Sequence, residues 1–178
     1  MRPWNVLATS VEGQRDLLLA VLRRLGPFRG GGYRNIAVGL VDDPLAFLDV
    51  VATALETQRA LKLSLARLIP IETTVTFDPH DPLAALAAAV LPFVDRLAGG
   101  SFFVRVERRG NKGVVHSAEL ERALGGHVWE TLAARGHIPK VSFTDADAVL
   151  AVEIVGGSAG LAVIPRALAQ RYPFVKIR

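Results

Sequence analysis

The chain has no cysteine among its 178 residues, a single methionine, and few aromatic residues, 7% of the total. The missing thiols exclude disulfides, thiolate zinc sites, iron–sulfur clusters and cysteine nucleophiles together, and they suit a reducing compartment. Long hydrophobic runs are missing too. The longest, Leu83 to Val94, is interrupted by Pro92 and falls short of the ~20 residues that a membrane-spanning helix needs. The start, Met1-Arg2-Pro3-Trp4-Asn5, meets a polar residue before any apolar run, unlike a secretory signal. A cytoplasmic protein that does not enter the membrane is expected.

Metal-ligand patterns are equally scarce. The four histidines, His80, His116, His127 and His137, contain no His-x-x-x-His pair, so neither a metal nor another cofactor is expected. The pairs Asp42-Asp43 and Asp145 with Asp147 sit where helices or strands begin, positions at which acids turn or cap the chain. Gly156-Gly157-Ser158-Ala159-Gly160 fits the letters of a nucleophile elbow, which requires a strand, a sharp turn and then a helix. The next residues are instead the strand-like Leu161 to Ile164 and then Pro165, with no acid or histidine after them. A small hydrolase or transferase using the Gly156–Gly160 loop is therefore the alternative reading, and a flexible hairpin turn the leading one.

What the chain does have is basic charge, +4 overall with a sequence pI near 10.0. Residues 1–100 hold ten Lys/Arg and ten Asp/Glu, whereas residues 101–178 hold eleven against seven, so by this division the excess is C-terminal. It gathers in two stretches: Arg105, Arg108, Arg109 and Lys112, then Arg166, Arg171, Lys176 and Arg178. Two basic clusters in one half point to an anionic partner.

The apolar periodicity gives a strand at 5–9, a helix at 12–25, an extended stretch within 33–41, a helix from Asp43-Pro44 to about Leu55 and a strand at 61–69. That order matches a ferredoxin-like unit. The proline-rich 77–82 reads as a boundary, dividing the chain into a first domain at 1–76 and a second at 77–178. In the second, the pattern predicts a helix at 83–97, a strand at 102–108, a turn at Gly110-Asn111-Lys112-Gly113, and a helix at 118–134 capped by Ser117. A short extended piece at 140–143 and two hairpin strands at 148–155 and 161–164 complete it.

The segment Ser101-Phe-Phe-Val-Arg-Val-Glu-Arg-Arg-Gly-Asn-Lys-Gly113, followed by Ser117-Ala118-Glu119-Leu120 and Ala123-Leu124-Gly125-Gly126, resembles the THUMP domain. Pro139-Lys140-Val141-Ser142-Phe143 and the strand Asp147 to Ile154 fit the same order, and Arg67 to Glu72 resembles the segment that enters that domain. The resemblance implies an α/β (α+β) architecture, an N-terminal ferredoxin-like domain followed by a THUMP-like α/β domain. It also implies binding of tRNA at the acceptor stem and CCA end, with the modifying reaction performed by a separate enzyme. The layout is similar to the stand-alone adaptor of tRNA cytidine acetylation, which would make this chain non-catalytic. The expected RNA contacts are Arg105, Arg108, Arg109, Asn111, Lys112, His116, Lys140, Arg166, Arg171 and Lys176. Strand alternation sets Arg108 opposite Arg105 and Arg109, with Arg105 the strongest candidate for a structural role, paired to Glu107. Arg109 and Lys112 are expected to be replaceable without harm to the fold.

Overall fold

A computed structural model describes residues 3–177, and Arg178 of the second basic cluster lies outside them. The described residues form two compact units: 3–72 together with 169–176, and 73–168 together with Ile177.

The first unit runs β1 (Val6–Ser10), α1 (Arg15–Leu25), β2 (Phe28–Gly30), β3 (Ile36–Gly39), α2 (Ala46–Thr57), α3 (Arg59–Ser64) and β4 (Leu65–Pro70). Its antiparallel sheet has the order β2-β3-β1-β4. Leu18 and Leu22, one helical turn apart on α1, and Phe47, Leu48 and Val51 on α2 supply buried apolar faces. Phe28 meets Phe47 with ring centroids 5.4 Å apart and lies over Gly39, where a Cβ would come within 2.6 Å of the Phe28 ring. Gly39 is therefore closed to any larger residue.

The strand expected at 61–69 is a helix over its first half. Leu61, Leu63 and Leu65 alternate as a strand would, yet Leu63 is exposed while Leu61 and Ser64, three apart, are buried. The Ser64 hydroxyl donates to the Ala60 carbonyl at 2.7 Å, the i to i−4 contact of a helix. Arg-Ala-Leu-Lys-Leu is also a run of good helix formers.

The second unit comprises β5 (Thr73–Thr76), α4 (Pro82–Val90), a 3₁₀ segment (Leu91–Leu97), β6 (Ser101–Arg109), α5 (Ser117–Ala134), β7 (Lys140–Val141), β8 (Ala148–Val155) and β9 (Ser158–Pro165). The helix α6 (Arg166–Arg171) passes from this unit into the first. The sheet order is β5-β9-β8-β6-β7, with β6 parallel to β7 and β8 and the remaining pairs antiparallel. A parallel pair needs a long crossover, and α5 supplies it between β6 and β8. Leu120, Leu124, Val128 and Leu132 of α5 join Val104, Val106, Leu150, Val152 and Ile154 in one core.

Three details differ from the sequence expectations. The helix at 83–97 is α-helical only to Val90, because Pro92 lacks the N–H of an α-helical turn and crowds the carbonyl four residues back. The cap of α5 is His116, which makes no side-chain capping bond, and Ser117 is the first helical residue. Thr73–Thr76, which carried no assignment, is an edge strand paired with β9. Among the described residues no helix is long and apolar enough to cross a membrane.

Residues 169–176, expected within the second domain, pack with the first unit. The Leu68 N–H donates to the Phe174 carbonyl at 2.9 Å, and Arg67 donates to the Lys176 carbonyl at 3.3 Å. Tyr172, Phe174 and Val175 are buried. The Tyr172 hydroxyl donates to Asp49 at 2.6 Å, and Arg171 pairs with the same oxygen at 3.1 Å. The hydrogen bond from Tyr172 and, behind it, the Arg171 charge hold the Asp49 carboxyl below its ordinary value of 3.8. The hydrogen bond to Asp49 and then burial push the Tyr172 hydroxyl above 10.0.

A lowered carboxyl favours the docked tail above its ordinary pKa and ceases to do so as pH falls through the lowered value. A raised phenol favours docking below its ordinary pKa and ceases to do so as pH rises through the raised one. Amide exchange at Leu68, whose N–H is covered by the tail, should therefore be slowest between these limits after correction for intrinsic exchange. Asp49→Asn should flatten the acid side of that profile.

Candidate nucleic-acid interface

The strand β6 alternates as its sequence requires. Phe102, Val104 and Val106 enter the core, and Phe103, Arg105, Glu107 and Arg109 share the other face. Register places Glu107 directly opposite Glu153 of β8, a like-charge pair that would weaken the sheet if left alone. The Arg109 guanidinium resolves this. Its Nη2 donates to Glu107 at 3.0 Å and its Nη1 to Glu153, forming a bridge across the parallel pair. The Arg109 side chain is 13% exposed and Glu153 2%, so this is an interior contact.

Arg105 is held as well, by a residue other than the expected Glu107. Its Nη1 lies 3.2 Å from Glu121 of α5, and its guanidinium stacks 5.3 Å above the Phe103 ring. Glu121 also accepts the Val106 N–H at 2.9 Å, tying the helix to the strand edge. Arg108 donates to the Gly110 carbonyl at 2.9 Å.

In the turn, Gly110, Asn111 and Gly113 all take positive φ, 87°, 52° and 81°. Asn111 is one of the few non-glycine types that tolerate this region. Its side-chain amide donates to the Gly156 carbonyl at 2.7 Å, and its own carbonyl accepts the N–H groups of Val114 and Val115. Lys112, His116 and Lys140 are exposed.

The second cluster is similarly engaged. Arg166 pairs with Asp145 and Asp147, each at 3.1 Å, and donates to the carbonyls of Asp145 and Ala146. Two hydrogen bonds from Ser101, backbone and hydroxyl, hold the Asp147 carboxyl below its ordinary range, and the Arg166 and Lys140 charges add to this. Arg171 belongs to Asp49, while Lys176 is exposed. Arg105, Arg109, Arg166 and Arg171 therefore face carboxylates, and Arg108 and Asn111 face backbone carbonyls. Lys112, His116, Lys140 and Lys176 present their side chains to solvent.

The hairpin loop also departs from a nucleophile elbow. Val155 pairs with Ser158 across the two-residue turn Gly156-Gly157, with Gly156 at φ 61°. Ser158 is buried and opens β9, so a strand rather than a helix follows the turn.

Dividing the charge by fold rather than by halves moves the excess. Among the described residues, 3–72 with 169–176 hold ten Lys/Arg against seven Asp/Glu, and 73–168 with Ile177 hold nine against ten. The basic excess lies in the first unit. There, α1 and α3 pack together and carry Arg23, Arg24, Arg59 and Lys62, all exposed and without a carboxylate partner among the described residues. A count over sequence halves missed them because residues 73–100, with Arg96 against Asp78, Asp81 and Asp95, offset the first unit's cations, and the returning tail fell in the other half.

The buried bridge has a direct consequence for stability. Arg109→Ala removes the guanidinium that bridges Glu107 and the buried Glu153 and should lower the unfolding free energy by about 3–5 kcal/mol, whereas Lys112→Ala, at an exposed turn, should change it by less than ~0.5 kcal/mol. Urea unfolding of the two variants beside the wild type reads both values. A fully stable Arg109→Ala would contradict the bridge.

Comparison with known proteins places this geometry. Residues 83–164 match the family model of the THUMP domain. An uncharacterized protein of Methanocaldococcus jannaschii is 35% identical over 98 residues, 55% of this chain and 27% of that protein. The crystal structure of TrmN from Thermus thermophilus superposes with a TM-score of 0.58 at 24% identity, over 94% of this chain and 48% of TrmN. A 4-thiouridine synthetase solved with RNA and bound ATP superposes with a TM-score of 0.56 at 14% identity, over 91% of this chain and 41% of the synthetase. The chain thus spans about a quarter of that archaeal relative and less than half of either structure. The stretch from Leu83 to Ile164 is thus similar to the THUMP domain.

Proposed function

We propose that the chain is a cytoplasmic tRNA-binding protein that holds the acceptor stem and CCA end for an RNA-modifying enzyme on another chain, with a tRNA cytidine acetyltransferase as the candidate partner. It performs no chemistry itself in this reading. The observation that carries the proposal is the THUMP domain match at 83–164. The shared fold of the RNA-bound 4-thiouridine synthetase is consistent with it.

The electrostatics supports a particular division of labour. Phosphate binding needs cations that are not already neutralised, because a guanidinium facing a carboxylate must exchange one charge-assisted pair for another. The exposed Arg23, Arg24, Arg59 and Lys62 of the first unit meet that condition, as do Lys112, Lys140 and Lys176. Arg109 does not, being enclosed between Glu107 and Glu153. In this reading backbone contacts of the exposed cations position the RNA and its shape provides selection.

If about four phosphates are neutralised, log affinity for tRNA should fall with log salt at a slope of roughly −3 to −4. Filter binding across a salt series measures this. Charge reversal at two of the proposed contacts, Arg24→Glu with Arg59→Glu, should weaken binding and make the slope shallower by about 2. Absence of tRNA binding at low salt would overturn the proposal, and an unchanged slope in the double variant would remove α1 and α3 from it.

A further inference from the structure

The second unit contains a groove of about 450 Å³, lined by none of the cations proposed to meet RNA. Val104 of β6 lies along one side, Arg122, Gly126 and Trp129 of α5 along another, and Val141 and Phe143 beside and beyond β7 complete it. Trp129 is 46% exposed and Phe143 75%, a large share of apolar surface for neighbouring side chains that line one concavity.

The strand edge at this groove is open. β7 pairs with β6 only at Ser101 and Phe102, and among the described residues no other strand lies on that side of β6. The Phe102 carbonyl accepts the Ser142 N–H at 3.1 Å, and the Val106 N–H donates to Glu121 at 2.9 Å. Even-numbered residues therefore turn their backbone polar groups toward this edge. Alternation gives Val104, between them, the same direction for its N–H and C=O. One donor and one acceptor thus face the groove, the pair of groups that an added strand engages.

The helix wall leaves room for such a strand. Gly125 and Gly126 are consecutive within α5, and a Cβ built on either would meet nothing within 4 Å. Two glycines in a helix interior weaken the helix, and here they keep the groove open.

Charge separates the candidate occupants. α5 carries Glu119, Glu121 and Glu130 against Arg122, and its unit holds nine basic and ten acidic residues. A polyphosphate chain finds no net attraction there, whereas a peptide requires none. Glu121 already serves Arg105 and the Val106 N–H. Arg122 is exposed with no carboxylate partner among the described residues, and so complements an acidic side chain.

We propose that this groove binds an extended segment of a protein partner. The segment adds as a strand to β6 at Val104, lays alternate apolar side chains against Trp129, Val141 and Phe143, and pairs an aspartate or glutamate with Arg122. The proposal stands apart from the RNA-binding reading, because it concerns different residues and a different class of partner.

Panning a phage-displayed library of random linear peptides on the intact protein tests it, followed by titration of the selected synthetic peptides. The expected peptides alternate apolar residues and include an acid. They should shift Trp129 emission, with Trp4 as a buried and unaffected reference, and slow amide exchange at Val104. They should lose binding to Gly126→Leu, which fills open space in a helix and so keeps the fold, and to Phe143→Ser, an exposed site whose thermal melt should match the wild type. Affinity for tRNA should be the same in Gly126→Leu and wild type, so failure here leaves the RNA reading standing. The proposal is overturned if no peptide is selected, if selected peptides bind Gly126→Leu as well as wild type, or if Val104 exchange is unchanged. It is equally overturned if oligouridylate occupies the groove in place of any peptide, quenching Trp129 in wild type and losing that effect in Gly126→Leu.

Discussion

The guanidinium of Arg109 between Glu107 and Glu153 is the contact around which the second unit is organised. Parallel pairing of β6 with β8 brings the two carboxylates side by side, and Glu153 has no access to water that would screen it. A cation on the same face is the remedy, and Arg109 supplies it from the end of β6. The long crossover α5 then closes over the opposite face with its leucines, while Glu121 secures the edge through Arg105 and the Val106 N–H. A strand rich in arginine thus owes its composition to the stability of its own sheet.

That internal use of charge shapes the functional reading. Cations neutralised by carboxylates add little to the field a polyanion meets, so the basic character must be sought among side chains left exposed. The returning tail contributes to this twice. Arg171 is tied to Asp49, which firms the tail against the first unit, and Lys176 remains exposed within it. Together with α1 and α3 these residues give the first unit, and not the second, a positive excess among the described residues. Electrostatic attraction through the first unit, with the second nearly balanced in charge, is the arrangement that the proposed tRNA binding would use.

Much of the architecture was legible because periodicity reports burial. The alternation Phe102, Val104, Val106 and the four-residue spacing of Leu120, Leu124, Val128 and Leu132 identify β6 and α5 directly, and Gly156-Gly157 marks the β8–β9 turn. The same signal misled at Leu61, Leu63 and Leu65, where alternation coincided with a short helix. Partners were harder to read than elements. Glu153 lies 44 residues from Arg109 and Glu121 16 from Arg105, and only the register of β8 and the crossing of α5 bring them together. Docking of Tyr172 and Phe174 leaves no periodic trace, so the assignment of the tail, and with it the location of the charge, required coordinates.

Arginine modification by phenylglyoxal, followed residue by residue with mass spectrometry in the absence and presence of tRNA, tests the central claim most directly. Arg23, Arg24 and Arg59 should react readily in the free protein and become protected by tRNA, while Arg109 should react slowly in both states. Ready modification of Arg109 in the free protein and its protection by tRNA, with Arg24 and Arg59 unaffected, would contradict the account.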